Sequence, residues 1–189
     1  MVRRKKTKTT TLILTVICLL LSAVQWAARF PLADVAIYKG CPIFARLTYS
    51  FFHASMPHAL INCWCLLSIV FIYDISISSL IIAYITAVTF PIDTTSSVFG
   101  GFVADVPTVG LSAVCFSLLG QIAFQVKHKR LFHTWVLSFI AIGFTLPPIC
   151  SVCGYAIATP NNTIHIYCYV AGLLVGFLNS PAHHVNSRK

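Results

Sequence analysis

Glutamate is absent from the 189 residues, aspartate supplies the only four acidic side chains, and charged residues make up 9% of the chain. A soluble domain carries about 25% charged residues, so this is not an ordinary soluble protein. Without Glu there is no HExxH helix, because the water on a metalloprotease zinc needs that carboxylate as its base. A paired-Asp intramembrane protease finds one half of its site in Tyr73-Asp74 and no second Asp in a Gly-rich apolar setting. No GxxxxGK[ST] run is present to cradle a phosphate. The net charge of +9 sits in terminal and loop clusters, which read as topology signals and not as a nucleic-acid surface.

What remains is apolar: 58% of the residues are hydrophobic. A span of the ~30 Å hydrocarbon layer needs about 20 residues as a helix, so the chain has room for about six spans and no separate soluble domain. Hydropathy predicts helices over 11–28, 58–73, 75–90, 109–126, 131–147 and 163–178. Pro31, Pro57, Pro91, Gly100-Gly101, Pro107, Pro147-Pro148 and Pro160 fall between or at the ends of these segments. The expected organisation is all-α: a basic cytoplasmic tail over 1–10, a polytopic six-transmembrane-helix bundle over 11–178, and a cytoplasmic tail over 179–189. With the N-terminus inside, six spans keep ten Lys and Arg in the cytoplasm and leave only Arg29, Lys39 and Arg46 outside. The first helix also has the make-up of a signal peptide, with a basic start and small residues at Ser22, Ala23 and Ala27.

Ionisable and polar groups inside a bilayer are costly, so they mark where function should be sought. Three groups stand out: Gly110-Leu111-Ser112 with Cys115, Phe116 and Gly120; His165 with Cys168, Gly172 and Gly176; and His58 with Asn62, preceded by Phe51 and His53. In the six-span topology the second, fourth and sixth helices all run from the outer face inward, which puts Ser112, His165, His58 and Asn62 at one depth. Helical spacing places 165, 168, 172 and 176 on one side, and Ser112, Phe116 and Gly120 on another. Small residues on such stripes let helices approach closely in a membrane. If the stripes face each other, Ser112 meets His165. The long connection from about Arg29 to Pro57 is rich in Tyr, Phe, Ile and Leu, as a segment lying in the membrane interface would be.

These residues resemble the rhomboid intramembrane serine proteases. His58-Ala-Leu-Ile-Asn62 matches the family's HxxxN, Gly110-Leu111-Ser112 its GxS, and His165 with Gly172 and Gly176 its final His-and-glycine helix; Arg46, Phe51 and His53 resemble the loop before HxxxN. The resemblance runs from about residue 40 to 178. Two departures are visible: Cys168 stands where the family commonly has Gly, and Arg46 follows Ala45 where the family often has a Trp-Arg pair.

The resemblance implies a serine endopeptidase that cleaves transmembrane protein substrates near the outer face, with no metal and no cofactor, in a plasma membrane and with both termini cytoplasmic. Ser112 is then the nucleophile and His165 its base, a dyad without a carboxylate. His58, Asn62 and the backbone N–H groups of Leu111 and Ser112 form the oxyanion hole. Gly110, Gly172 and Gly176 support the packing, and Phe116 stacks on the imidazole. The lateral gate falls in the fifth helix and the segment after it, 131 to about 160, with Pro147-Pro148 and Gly154 as bends. The alternatives are a non-proteolytic rhomboid-like protein that binds or escorts membrane clients, and a small transporter or channel.

Of the eight cysteines, Cys18, Cys63, Cys65, Cys115 and Cys168 lie in apolar helices and read as packing residues. Cys150-x-x-Cys153 could oxidise, and Asn161-Asn162-Thr163 fits a glycosylation sequon. His53 reads as a hydrogen-bonding residue of its loop.

Overall fold

The computed structural model describes residues 2–99, 107–152 and 161–180. They form eight α-helices: α1 Val2–Ala28, α2 Ile43–Thr48, α3 Met56–Ile72, α4 Ile77–Val88, α5 Ile92–Phe99, α6 Ser112–Ile122, α7 Lys129–Val152 and α8 Asn162–Leu178. No strand occurs among the described residues; one isolated bridge pairs Ile37 with Thr108. All six predicted helices are present, with altered ends, and two short helices lie between them.

Local chemistry sets the ends. Ser55 caps α3 by accepting the N–H of His58, with Pro57 in the first turn where its missing N–H costs nothing. Ser76 caps α4 through the N–H of Ser79, and Asn161 caps α8 through the N–H of Ile164. The predicted helix over 109–126 begins instead at Ser112, because Thr108 is bridged to Ile37 and Gly110 takes φ +120°, a conformation outside the helical region. The helix predicted to end at Pro147 continues as α7 to Val152. Membrane helices tolerate proline because neighbouring groups satisfy the freed carbonyls. The first helix begins at Val2, so most of the expected basic tail is helical. Gly100-Gly101, Cys153, Gly154, Pro160 and the tail beyond Ser180 lie outside the described residues, so the Cys150–Cys153 pairing does too.

Cross-helix contacts give the direction of each helix. Ser112 touches His165, Ser117 meets Gly172 and Gln121 meets Gly176, so α6 and α8 advance together and are parallel. Gly110 meets His58 and Asn62, and Cys115 reaches the Asn62 carbonyl, so α3 runs the same way. The Gln121 amide donates to Ser79 at the opposite end of α4, which is therefore antiparallel to α6. α1 opposes α3, with Lys8 over the Phe71 ring at one end and Ser22 on His53 at the other. α7 opposes α8, through His133–Tyr169 at one end and Gly143–Asn162 at the other. The six longer helices thus alternate in direction along the chain.

Among the described residues, Arg4–Ala28 alone is long and apolar enough to cross a membrane; the stretches 43–51 and 56–72 meet the same test together but bend by 77°. α4, α6 and α8 are shorter apolar helices. α6 has 11 residues, nine of them buried. At 1.5 Å per residue it is about 16 Å long, half the hydrocarbon thickness, and its burial on all sides makes it the centre of the bundle.

Candidate active site

Ser112 opens α6 and His165 lies in the first turn of α8. Where those ends meet, the Ser112 Oγ lies 2.9 Å from Nε2 of His165. This is hydrogen-bond distance between a hydroxyl and an acceptor nitrogen. For Nε2 to accept, the proton of the neutral imidazole must be on Nδ1, which is buried and has no partner among the described residues. The ring is held by stacking: Phe116, one helical turn below Ser112, lies parallel to it with centroids 4.4 Å apart and planes 18° apart. Phe116 also packs on Phe139 of α7.

Helix packing fixes the distance. A Cβ on Gly172 would overlap the Ser117 carbonyl, one on Gly120 would strike the backbone of Tyr169 and Leu173, and one on Gly176 would lie 2.6 Å from the Gln121 carbonyl oxygen. Cys168, where the family commonly has Gly, is fully buried, and the closest approach is carried by the three glycines. The departure therefore leaves the seam intact.

His58 and Asn62 converge from α3 on Gly110, where an added Cβ would lie 2.9 Å from Nδ2 of Asn62 and 2.9 Å from Cε1 of His58. The Asn62 Nδ2 is a buried donor without a partner among the described residues. Such an unspent donor costs about 1–3 kcal/mol, which a group reserved for a developing anion would explain. Ser112, as the first helical residue, has an N–H with no acceptor in its own helix.

One expected donor is otherwise engaged. The Leu111 N–H donates to Nε2 of His53 at 3.3 Å, so it is engaged within the protein, unlike the Asn62 amide. His53 was legible as a hydrogen-bonding residue, but its partner was not.

The loop before Ser112 is clamped from one side. Ile37 and Thr108 exchange backbone bonds of 2.9 and 3.0 Å, the Gly110 N–H donates to the Tyr49 carbonyl at 3.0 Å, and Leu111 bonds His53. All three partners belong to the long connection between α1 and α3. That connection is anchored by Asp93, whose carboxylate accepts from Arg46 at 2.7 Å and from the Gly40 N–H at 2.9 Å. The Gly40 N–H, and after it Arg46, hold the Asp93 carboxyl below the usual carboxylate range. Arg46 thus has an anchor without the family's neighbouring Trp. Asp93 was missed in the sequence, where no motif surrounds it.

α2 leaves Ile43, Phe44 and Leu47 exposed as one apolar face. Asn161, the acceptor of the sequon, is 3% exposed and spends its side-chain oxygen on capping α8, so no room is left there for a glycan. No group of three or more metal-ligating side chains occurs among the described residues.

No curated protein matches the chain. The family description "Rhomboid domain" matches residues 42–182, which include Ser112, His165, His58, Asn62, His53 and Asp93; α1, Ile37 and Gly40 lie before the match. That match spans well over half of the chain and includes HxxxN, GxS and the helix of His165, and the family consists generally of integral-membrane serine proteases. With its motifs folded onto one buried site, the chain belongs to the rhomboid family.

Proposed function

We propose that the protein is an intramembrane serine endopeptidase in which Ser112 and His165 form the catalytic dyad. The observation that carries this reading is the 2.9 Å contact between the Ser112 Oγ and the His165 Nε2. Ser112 attacks the scissile carbonyl carbon while its proton passes to Nε2 of His165. The carbonyl oxygen becomes an oxyanion held by Asn62, His58 and the Ser112 N–H. Collapse of that intermediate breaks the C–N bond, and the proton on Nε2 goes to the leaving amine. Water, deprotonated by His165, then hydrolyses the ester and returns the proton to Ser112. Neither a metal nor a cofactor takes part.

The six helices α1, α3, α4, α6, α7 and α8 span the membrane in this reading, with residues 1–10 and 179–189 cytoplasmic in a plasma membrane. The ten-to-three division of Lys and Arg supports that direction. Because α6 is short and enclosed, its N-terminus lies below the outer surface, where water reaches it from outside. Substrates are transmembrane segments whose helix is weak near the outer face, since a peptide bond must leave its helix to be attacked. They enter past α7, which meets the bundle along one side and leaves Leu131, Trp135, Leu137 and Ile142 exposed.

The test is cleavage of a generic transmembrane substrate in proteoliposomes. Wild-type protein cleaves it, and Ser112→Ala and His165→Ala each lower the rate at least about 10⁴-fold. Unchanged cleavage in Ser112→Ala removes the nucleophile. Binding of the substrate without any cleavage by the wild type favours the escort reading.

A further inference from the structure

His53 is fully buried and makes three contacts that no motif predicts. Its Nε2 faces the Leu111 N–H at 3.3 Å, its Nδ1 faces the Ser22 Oγ at 3.1 Å, and its carbonyl accepts the Trp26 indole N–H at 2.9 Å. Its ring also meets that of His58 edge to face, with centroids 5.3 Å apart.

The backbone partner fixes the proton. An N–H only donates, so Nε2 must be the bare nitrogen, and the ring hydrogen is on Nδ1, donating to Ser22. A second proton on the ring would set two N–H groups against each other. Burial first, and the neighbouring His58 second, push the His53 pKa down to about 3, in keeping with a ring that stays neutral.

Resting on the protease reading above, we propose that His53 is a positioning residue: as the Nδ1–H tautomer it ties α1 to the nucleophile loop, holding the Leu111 N–H away from the substrate so that Ser112 stays aimed at His165. The oxyanion is then left to Asn62, His58 and the Ser112 N–H. α1, which contributes nothing to the dyad itself, acts on it through Ser22, Trp26 and His53. The Gly110–Leu111 peptide is the element being held. With φ +120° at Gly110, this peptide has few steric restraints of its own; the Tyr49 carbonyl holds the peptide before it through the Gly110 N–H, and the Leu111 N–H bond to His53 sets its own plane.

The two amide replacements separate the ring's two bonds. Gln places its carbonyl oxygen near the reach of Nε2 and keeps an acceptor for Leu111. Asn reaches only as far as Nδ1 and loses it. The expected result is a kcat about 10-fold or more lower in His53→Asn with KM unchanged, and recovery to within about 3-fold of wild type in His53→Gln. Equal losses in both, tracking a lowered unfolding midpoint, overturn the proposal in favour of plain packing.

A second measurement uses the unmodified chain and no substrate. In ¹⁵N-histidine-labelled full-length protein in micelles, the His53 ring signals should report a protonated Nδ1 and a bare Nε2 from pH 8 down to pH 5. A proton on Nε2 refutes the proposal even if proteolysis is observed. Wild-type protein that never cleaves, yet holds this tautomer, refutes the protease reading instead and leaves the tie standing.

Discussion

Below the dyad, α6 and α8 meet through glycines and bare backbone; above it, the nucleophile loop is held to residues 37–53 by hydrogen bonds. The lower seam sets how far Ser112 is from His165, and added volume breaks it. The upper clamp sets the direction of the loop, and it is sensitive to the kind of atom presented, whatever the volume. A defect in the seam should therefore appear as lost fold, and a defect in the clamp as lost rate.

The largest effect belongs to the seam. In Gly172→Ala the new methyl would overlap the Ser117 carbonyl, and neither backbone is free to move. Overpacking of this kind costs about 3 kcal/mol, enough to lower the unfolding midpoint in detergent by several degrees and to remove activity with it. An unchanged midpoint would mean that the helices are not in backbone contact.

Asn62 sharpens the contrast from the other side, because its buried Nδ2 has no partner among the described residues to lose. Asn62→Leu should cut kcat by about 10²–10³ while the protein stays at least as stable as wild type. A parallel fall in stability would make Asn62 a packing residue of the seam and not a donor kept for the reaction.

Acid should loosen the clamp before it touches the seam. His53 has a folded pKa near 3 against an ordinary value of 6.5, so the unfolded chain takes up a proton that the folded chain refuses. Its contribution to stability is full above pH 6.5 and is lost as pH falls toward 3. Unfolding followed over that range should show stability rising with pH in wild type and a shallower slope in His53→Gln. Equal slopes would place the titrating group elsewhere.

The smallest effect is expected at Asp93. Its side chain is 54% exposed, so the Arg46–Asp93 pair is screened by solvent. Asp93→Asn should cost no more than about 1 kcal/mol. Because the folded carboxyl titrates below its unfolded value, the wild-type advantage is present above the unfolded pKa and disappears as pH falls through the folded one. A large loss of activity in this variant at neutral pH would show that the connection is held at one point only.

The same division separates what the sequence disclosed from what it concealed. The stripe of His165, Cys168, Gly172 and Gly176 has helical spacing, and a periodic seam leaves a periodic trace. Ser112 and His165 stood out because polar groups in apolar helices are few. The clamp has no period: the bonds from Ile37, Tyr49 and His53 join irregular backbone across long stretches of chain, and no local pattern announces them. For that reason Leu111 was expected in the oxyanion hole, though its N–H is spent on His53. The start of α6 was placed at Val109 for the same reason, since apolar residues at the helix edge hide the extended bridge to Ile37 and the turn at Gly110. Pro147-Pro148 misled in the opposite sense, because a rule drawn from helices in water was applied to one in an apolar setting.

In the proposed dyad Ser112 is made nucleophilic by His165. Labelling the reconstituted protein with a fluorophosphonate and mapping the adduct by mass spectrometry tests it without any knowledge of the substrate. One adduct on Ser112 is expected in wild type and none in His165→Ala; an unlabelled Ser112, or labelling that survives loss of the imidazole, would show that the two residues are not a catalytic pair.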